Sequence, residues 1–183
     1  MNQPIFEAWN KYEEDLEIYT RRFLEGELKN RCFQKIMDFK VCYAPSKEPV
    51  CFENISELIF EPMKIGDVWA RENFSCAWFH LTASLPAGID TKELYLDFQN
   101  EGEALLVDET GSALKGFTFG SPSFGIVDLT IQKRYYPLCG LIAPNGNIDL
   151  YIDGASNSIL GEYLNGCSHL KSAAVVRRDP QMQ

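Results

Sequence analysis

Two hydrophobic rhythms divide the chain. Near the N-terminus, apolar residues recur at steps of three or four: Phe6, Trp9, Tyr12, Leu16, Tyr19 and Phe23. Glu13, Glu14, Asp15, Arg21 and Arg22 fill the other positions, a spacing that predicts an amphipathic helix. Leu28, Cys32, Phe33, Ile36 and Met37 continue it as a second helix, with Gly26 between the two. After Pro45 the period becomes two. Leu58–Phe60 leads to Pro62, and Ala77, Phe79, Leu81, Ala83 and Leu85 share one side of a long run from Cys76. Leu94, Leu96 and Phe98 alternate next, followed by Ala104–Val107, Leu114–Phe119 and Ile126–Ile131. Ile148, Leu150 and Ile152, then Ala173–Val176, close the series. Turn residues stand between the runs at Pro86–Gly88, Asp108–Gly111 and Pro144–Gly146. Many short alternating strands with such turns predict a mainly β protein, an antiparallel β-sandwich or jelly roll, with helix at the N-terminus. The expected organisation is a helical segment over 1–44, the sandwich over 45–177, and a polar tail over 178–183.

Composition narrows the function classes. At 183 residues, 45% hydrophobic and 23% charged, the chain has material for one sizeable core. Its net charge of -9 repels phosphate backbones and anionic bilayers, so nucleic acid and membrane are not expected partners. No basic stretch followed by an apolar run opens the sequence, which predicts a cytoplasmic protein. The six cysteines are irregularly spaced, as fits reduced thiols.

Candidate chemistry is sparse. His80 and His169 stand outside any metal-ligand spacing. Nucleophile-elbow and phosphate-loop patterns are absent, and no base is expected beside any cysteine. Glu101 and Glu103, two apart on an expected strand, would approach a substrate from one side. A glycosidase needs carboxylates on both sides of the scissile bond. Asp149, Tyr151 and Asp153 read as the solvated outer face of the Ile148–Ile152 strand.

Several pieces, taken in order, resemble a known family. They are Glu61–Trp69, Ala77-Trp-Phe-His80, Gly102-Glu-Ala-Leu-Leu-Val-Asp108 with its Glu-Thr-Gly turn, and Asp153–Gly161. Together they are similar to the N-terminal β-sandwich of glycoside hydrolase family 38 α-mannosidases. The resemblance implies a galactose-binding-like sandwich, non-catalytic, packed on the catalytic barrel of the same polypeptide. It implies a parent that cleaves α-mannosides by a retaining mechanism with a zinc held by two His and two Asp. Those ligands belong to the barrel and match no position here, so no cofactor is expected in this chain. Carbohydrate and a second copy of the chain are the further candidate partners. Trp69, Trp78, His80 and Glu103 are the motif residues that would touch sugar. Two alternatives are a free-standing carbohydrate-binding module and the accessory sandwich of α-L-rhamnosidase-like hydrolases. Exposed tryptophans would favour the binding module, and buried ones a structural domain. An exposed aromatic patch is expected from Phe6, Trp9, Tyr12 and Tyr19, or from Phe117, Phe119 and Phe124.

Overall fold

The computed structural model describes residues 12, 15–20, 32–119, 121–123, 126–128, 133–157 and 167–181. Phe6, Trp9, Phe23, Leu28 and Phe124 therefore lie outside the described residues. The chain divides into two compact units, one of residues 1–34 with 178–183 and one of residues 35–177. In the first unit residues 15–20 are helical. Tyr12, Leu16 and Tyr19 are 63%, 53% and 67% exposed there, so three positions of the predicted apolar stripe face solvent. Of the other expected patch, Phe117 is buried and Phe119 half-buried.

The second unit is built of antiparallel strands. β1, Phe33–Asp38, stands where the end of the second helix was expected, and β2, Lys40–Ser46, begins inside the segment 1–44 expected to be helical. The burial of β1 explains the discrepancy, because Phe33, Ile36 and Met37 are its less exposed residues, a spacing that imitates a helical face. The strand sits at a sheet edge, where one neighbour and partial cover suffice. Leu58–Phe60 is also not a strand. It is irregular chain after a 3-10 turn over Phe52–Glu57, and Ile59 is 81% exposed.

The remaining strands are β3 (Glu61–Met63), β4 (Val68–Ala70), β5 (Cys76–Ser84), β6 (Leu94–Gln99), β7 (Glu103–Val107), β8 (Ala113–Thr118), β9 (Ser121–Ser123), β10 (Ile126–Asp128), β11 (Tyr135–Pro137), β12 (Asn147–Ala155), β13 (Ser168–His169) and β14 (Ser172–Arg178). A six-stranded sheet runs in the order β3-β2-β5-β12-β7-β8, and a four-stranded sheet in the order β1-β14-β6-β11. β9 with β10, and β4 with β13, form two short pairs. β5 and β12 are in register over nine residues, from Asn147 opposite Ser84 to Ala155 opposite Cys76. The inward set of this pair is Ala77, Phe79, Leu81 and Ala83 with Ile148, Leu150 and Ile152, all buried, as the alternation predicts. Leu94, Leu96 and Phe98 of β6 and Ala173 and Val175 of β14 meet them in one core.

The rings of Phe79 and Phe98 touch across the core edge to face, with centroids 5.6 Å apart. A largely buried ion pair joins β6 to the residue before β11. Arg134 donates through Nε and Nη2 to the two oxygens of Asp97, each at 2.5 Å, and Ser172 Oγ donates at 2.8 Å. Burial alone would lower the Arg134 pKa; the bond to Asp97 and its charge outweigh that and raise it.

The predicted turns form for identifiable reasons. Asp108 Oδ1 accepts Thr110 N–H, Thr110 Oγ1–H and Ser112 N–H at 2.8, 2.7 and 2.9 Å. Gly111 follows with φ of +83°, where a side chain would be strained and would also press into the Phe52 ring. No helix among the described residues is long and apolar enough to cross a membrane.

Candidate functional site

The outward set of the β5–β12 pair is Trp78, His80 and Thr82 opposite Asp153, Tyr151 and Asp149. The alternation predicts a solvated face, and the structure corrects this. Chain between β2 and β3 lies across part of this face, covering Trp78 and partly His80 and Tyr151 while Asp149 stays exposed. Phe52 meets Trp78 and Tyr151 edge to face, each at 5.9 Å between centroids. Phe60 meets His80 at 5.9 Å and Tyr151 at 6.2 Å. The His80 ring stacks on Tyr151, 4.4 Å away and tilted by only 2°, with its Nε2 2.9 Å from Asp149 Oδ1. Trp78 Nε1–H donates to Val50 O at 2.8 Å, and the residue is 3% exposed. The polar pattern of β12 thus lines a second, smaller aromatic layer. Burial pushes the Asp153 carboxyl up; burial and then the Asp149 charge push the Tyr151 hydroxyl up.

Beside this layer runs an open groove of about 700 Å³, lined by Phe52, Asp108, Thr110, Asp149 and Tyr151 and by residues 140–144. It has the acidic groups and the ring that a sugar site uses, and of these Asp108, Asp149 and Tyr151 are already engaged while Glu109 also lines it. Asp108 is held down in pKa by the Thr110 hydroxyl first and then by the Thr110 and Ser112 amides. One face of Tyr151 is taken by His80, and Phe52 and Phe60 abut the same ring.

Trp69 belongs to the core rather than to this face. It is 5% exposed, meets Phe79 edge to face at 5.3 Å, and donates from Nε1 to Asn100 O at 2.7 Å. Asn100 is itself buried, accepting from Gly102 N–H at 3.1 Å and donating to Glu103 O at 3.4 Å. That bonding draws residues 100–102 into a tight turn, and a side chain at Gly102 would collide with Ala155 O. Glu101 consequently has φ of +55°, a left-handed conformation that costs a non-glycine residue about 1–3 kcal/mol. Glu101 and Glu103 therefore do not share a strand face, contrary to their spacing. Glu103 lies on β7, 3.4 Å from Asn157 Nδ2. Trp78 and His80 are neighbours on the outer face, Glu103 is at its end opposite Ala155, and Trp69 is inside. The four motif residues do not converge on one site.

What the residues do bring together was not anticipated. Glu101 Oε2 lies 2.6 Å from His169 Nδ1 and accepts His169 N–H at 2.9 Å, while Oε1 lies 3.0 Å from Lys171 Nζ. Cys167 Sγ lies 3.8 Å from His169 Nε2, so a cysteine does have a base beside it. The readable signal was Cys-x-His at strand spacing, which puts both side chains on one face. Among the described residues, no three His, Cys, Asp or Glu side chains converge to hold a metal ion. The implied zinc does not fit either histidine: His80 is stacked and paired with one carboxylate, and His169 is paired with another in a different sheet.

Two facing antiparallel sheets around a closed aromatic core, with Trp69 and Trp78 packed inside, define a jelly-roll sandwich. Comparison with protein families gives the same answer. A family model described as the jelly roll domain of alpha-mannosidase matches residues 35–176, nearly the whole of the strand-built unit. The chain belongs to this family of alpha-mannosidase jelly roll domains, as the resemblance to family 38 implied. No curated protein matches it.

Proposed function

We propose that this chain is the non-catalytic accessory domain of an α-mannosidase-type glycoside hydrolase, packed against the catalytic barrel of the same polypeptide. The observation that carries the reading is the family match over residues 35–176. Burial of Trp69 and Trp78 supports it, because a binding module of the kind weighed above stacks sugar on exposed rings. The zinc and the acid and nucleophile of the reaction reside in the barrel, and this domain braces it. The protein works in the cytoplasm, a reading supported by six free thiols in a domain that holds its core without crosslinks.

The test is to assay the purified chain with an aryl α-mannoside, with and without zinc and chelator, and to titrate it with mannose oligosaccharides by calorimetry. No turnover and no saturable heat are expected. Chelator-sensitive turnover would overturn the non-catalytic assignment. Saturable sugar binding lost on substitution of Tyr151 would make the domain a binding module instead.

A further inference from the structure

β13 is only Ser168 and His169; Ser168 is buried, and Cys167, just before the strand, sets its sulfur beside the His169 ring. The imidazole is held at both ends. Nδ1 faces Glu101 Oε2 at 2.6 Å, and Nε2 faces Cys167 Sγ at 3.8 Å. An ionised carboxylate only accepts hydrogen bonds, so Glu101 fixes the ring hydrogen on Nδ1. In the neutral ring this leaves the lone pair of Nε2 directed at the thiol. Glu101 is fixed in turn by His169 N–H, by Lys171 and by its own turn, with its side chain 8% exposed. Among the described residues, the charged groups at this site are Glu101 and Lys171, and across the short strand pair β4 presents Val68. Nucleophile, base and orienting carboxylate stand in the order that thiol activation requires. Cys167 is half-buried and the His169 side chain 27% exposed, so the pair is not sealed in the core.

We propose that Cys167, His169 and Glu101 form a reactive-thiol site for small hydroperoxides, independent of the accessory role. His169 Nε2 takes the thiol proton. The sulfur attacks the terminal peroxide oxygen, forming the S–O bond as the O–O bond breaks. The departing oxygen takes the proton from the imidazolium and leaves as water or an alcohol. Sulfur is oxidised by two electrons to sulfenic acid, and the peroxide is reduced by the same two. A hydroperoxide fits because it is compact and because its leaving oxygen needs the proton that His169 holds.

The experiment treats the full chain at pH 6.5 with one equivalent of hydrogen peroxide and dimedone, and reads each cysteine peptide by mass spectrometry. Cys51 and Cys139, both exposed, are internal references. An ordinary thiol is about 1% thiolate at this pH, which leaves about a hundredfold of room for activation, part of it lost to lower nucleophilicity. Cys167 is expected to label at least about tenfold faster than either reference. His169→Gln is expected to bring it down to their rate while leaving theirs unchanged. Equal rates in the native chain, or an unchanged Cys167 rate in His169→Gln, would overturn the proposal. Should that variant fail to fold, iodoacetamide labelling of the native chain from pH 6 to 8 decides. A Cys167 rate at least about tenfold above both references supports the site, and a rate equal to theirs overturns it.

Discussion

Adding one methyl group at Gly154 tests how the core is closed. Gly154 lies on the inward face of β12, opposite Ala77 of β5 and Ala104 of β7. A Cβ there would stand 2.7 Å from Phe79 Cε2 and 3.1 Å from Asn100 Nδ2. Neither neighbour can yield. Phe79 is fully buried between Trp69 and Phe98, and Asn100 holds the turn that accepts the Trp69 indole. Overpacking of this kind costs about 1–3 kcal/mol. The lower entropy of the unfolded alanine chain returns about 0.4–1 kcal/mol. Gly154→Ala is therefore expected to destabilise by about 1–2 kcal/mol. In urea, with a slope of about 2 kcal/mol per molar, the midpoint falls by roughly 0.5–1 M. Fluorescence of buried Trp69 and Trp78 reports the transition. Gly116→Ala is the control, since nothing lies within 4 Å of its Cβ position, and it is expected to be neutral or slightly stabilising. If the Phe79 ring is the obstacle, Phe79→Leu relieves it, and the double variant is expected to be at least about 1 kcal/mol more stable than additivity allows. A Gly154→Ala midpoint indistinguishable from that of Gly116→Ala, or strict additivity with Phe79→Leu, would refute the packing argument.

Removing one partner of the buried pair, by Arg134→Ala or Asp97→Ala, is expected to cost about 3–5 kcal/mol in denaturant titration. A joint replacement of Asp97 and Arg134 by Leu and Met is expected to recover much of that loss, and a double variant worse than either single one would contradict it. Trp69→Phe keeps the ring packing but leaves Asn100 O without its indole donor, at about 1–3 kcal/mol; a loss under about 0.5 kcal/mol would show that the bond is dispensable. Asp153 tests the sign of its raised pKa. The unfolded carboxyl releases its proton near the ordinary ~3.9 and the folded one releases it later, so the folded state binds more protons in between. Stability from this group is full below the ordinary range and is lost as pH rises through the raised one. Asp153→Asn is accordingly expected to raise the urea midpoint at pH 7 and to lose that advantage below about pH 4. An advantage independent of pH would mean that ionisation is not its source.

Local chemistry was enough for the elements that carry their own pattern. β12 alternates strictly, and β5 and β6 do so apart from buried Trp78 and Asp97, because one face of each packs on the core and side-chain period is a property of the strand alone. The turns at Asp108–Gly111 and Pro144–Gly146 follow from asparagine, aspartate and glycine, which stabilise or permit the needed backbone within four residues. These features, with the ordered motifs, sufficed for the fold and the family.

The elements misread are those whose surroundings come from elsewhere. β1 takes its strand form from pairing with β14, more than a hundred residues away, which overrides a helix-like spacing of its apolar residues, and β2 from pairing with β5, about forty residues on. The outer face of β12 looked solvated because its period is right for one. Only the path of Phe52 and Phe60 over Trp78 and Tyr151 turns it into a second layer. Glu101 and Glu103 read as strand neighbours until Asn100 and the approach of Ala155 bend the chain between them. The same bend carries the Glu101 carboxylate to His169, 68 residues further along. The residues of that cluster are plain in the sequence, but a contact across such a separation is a property of strand order, which no local pattern encodes.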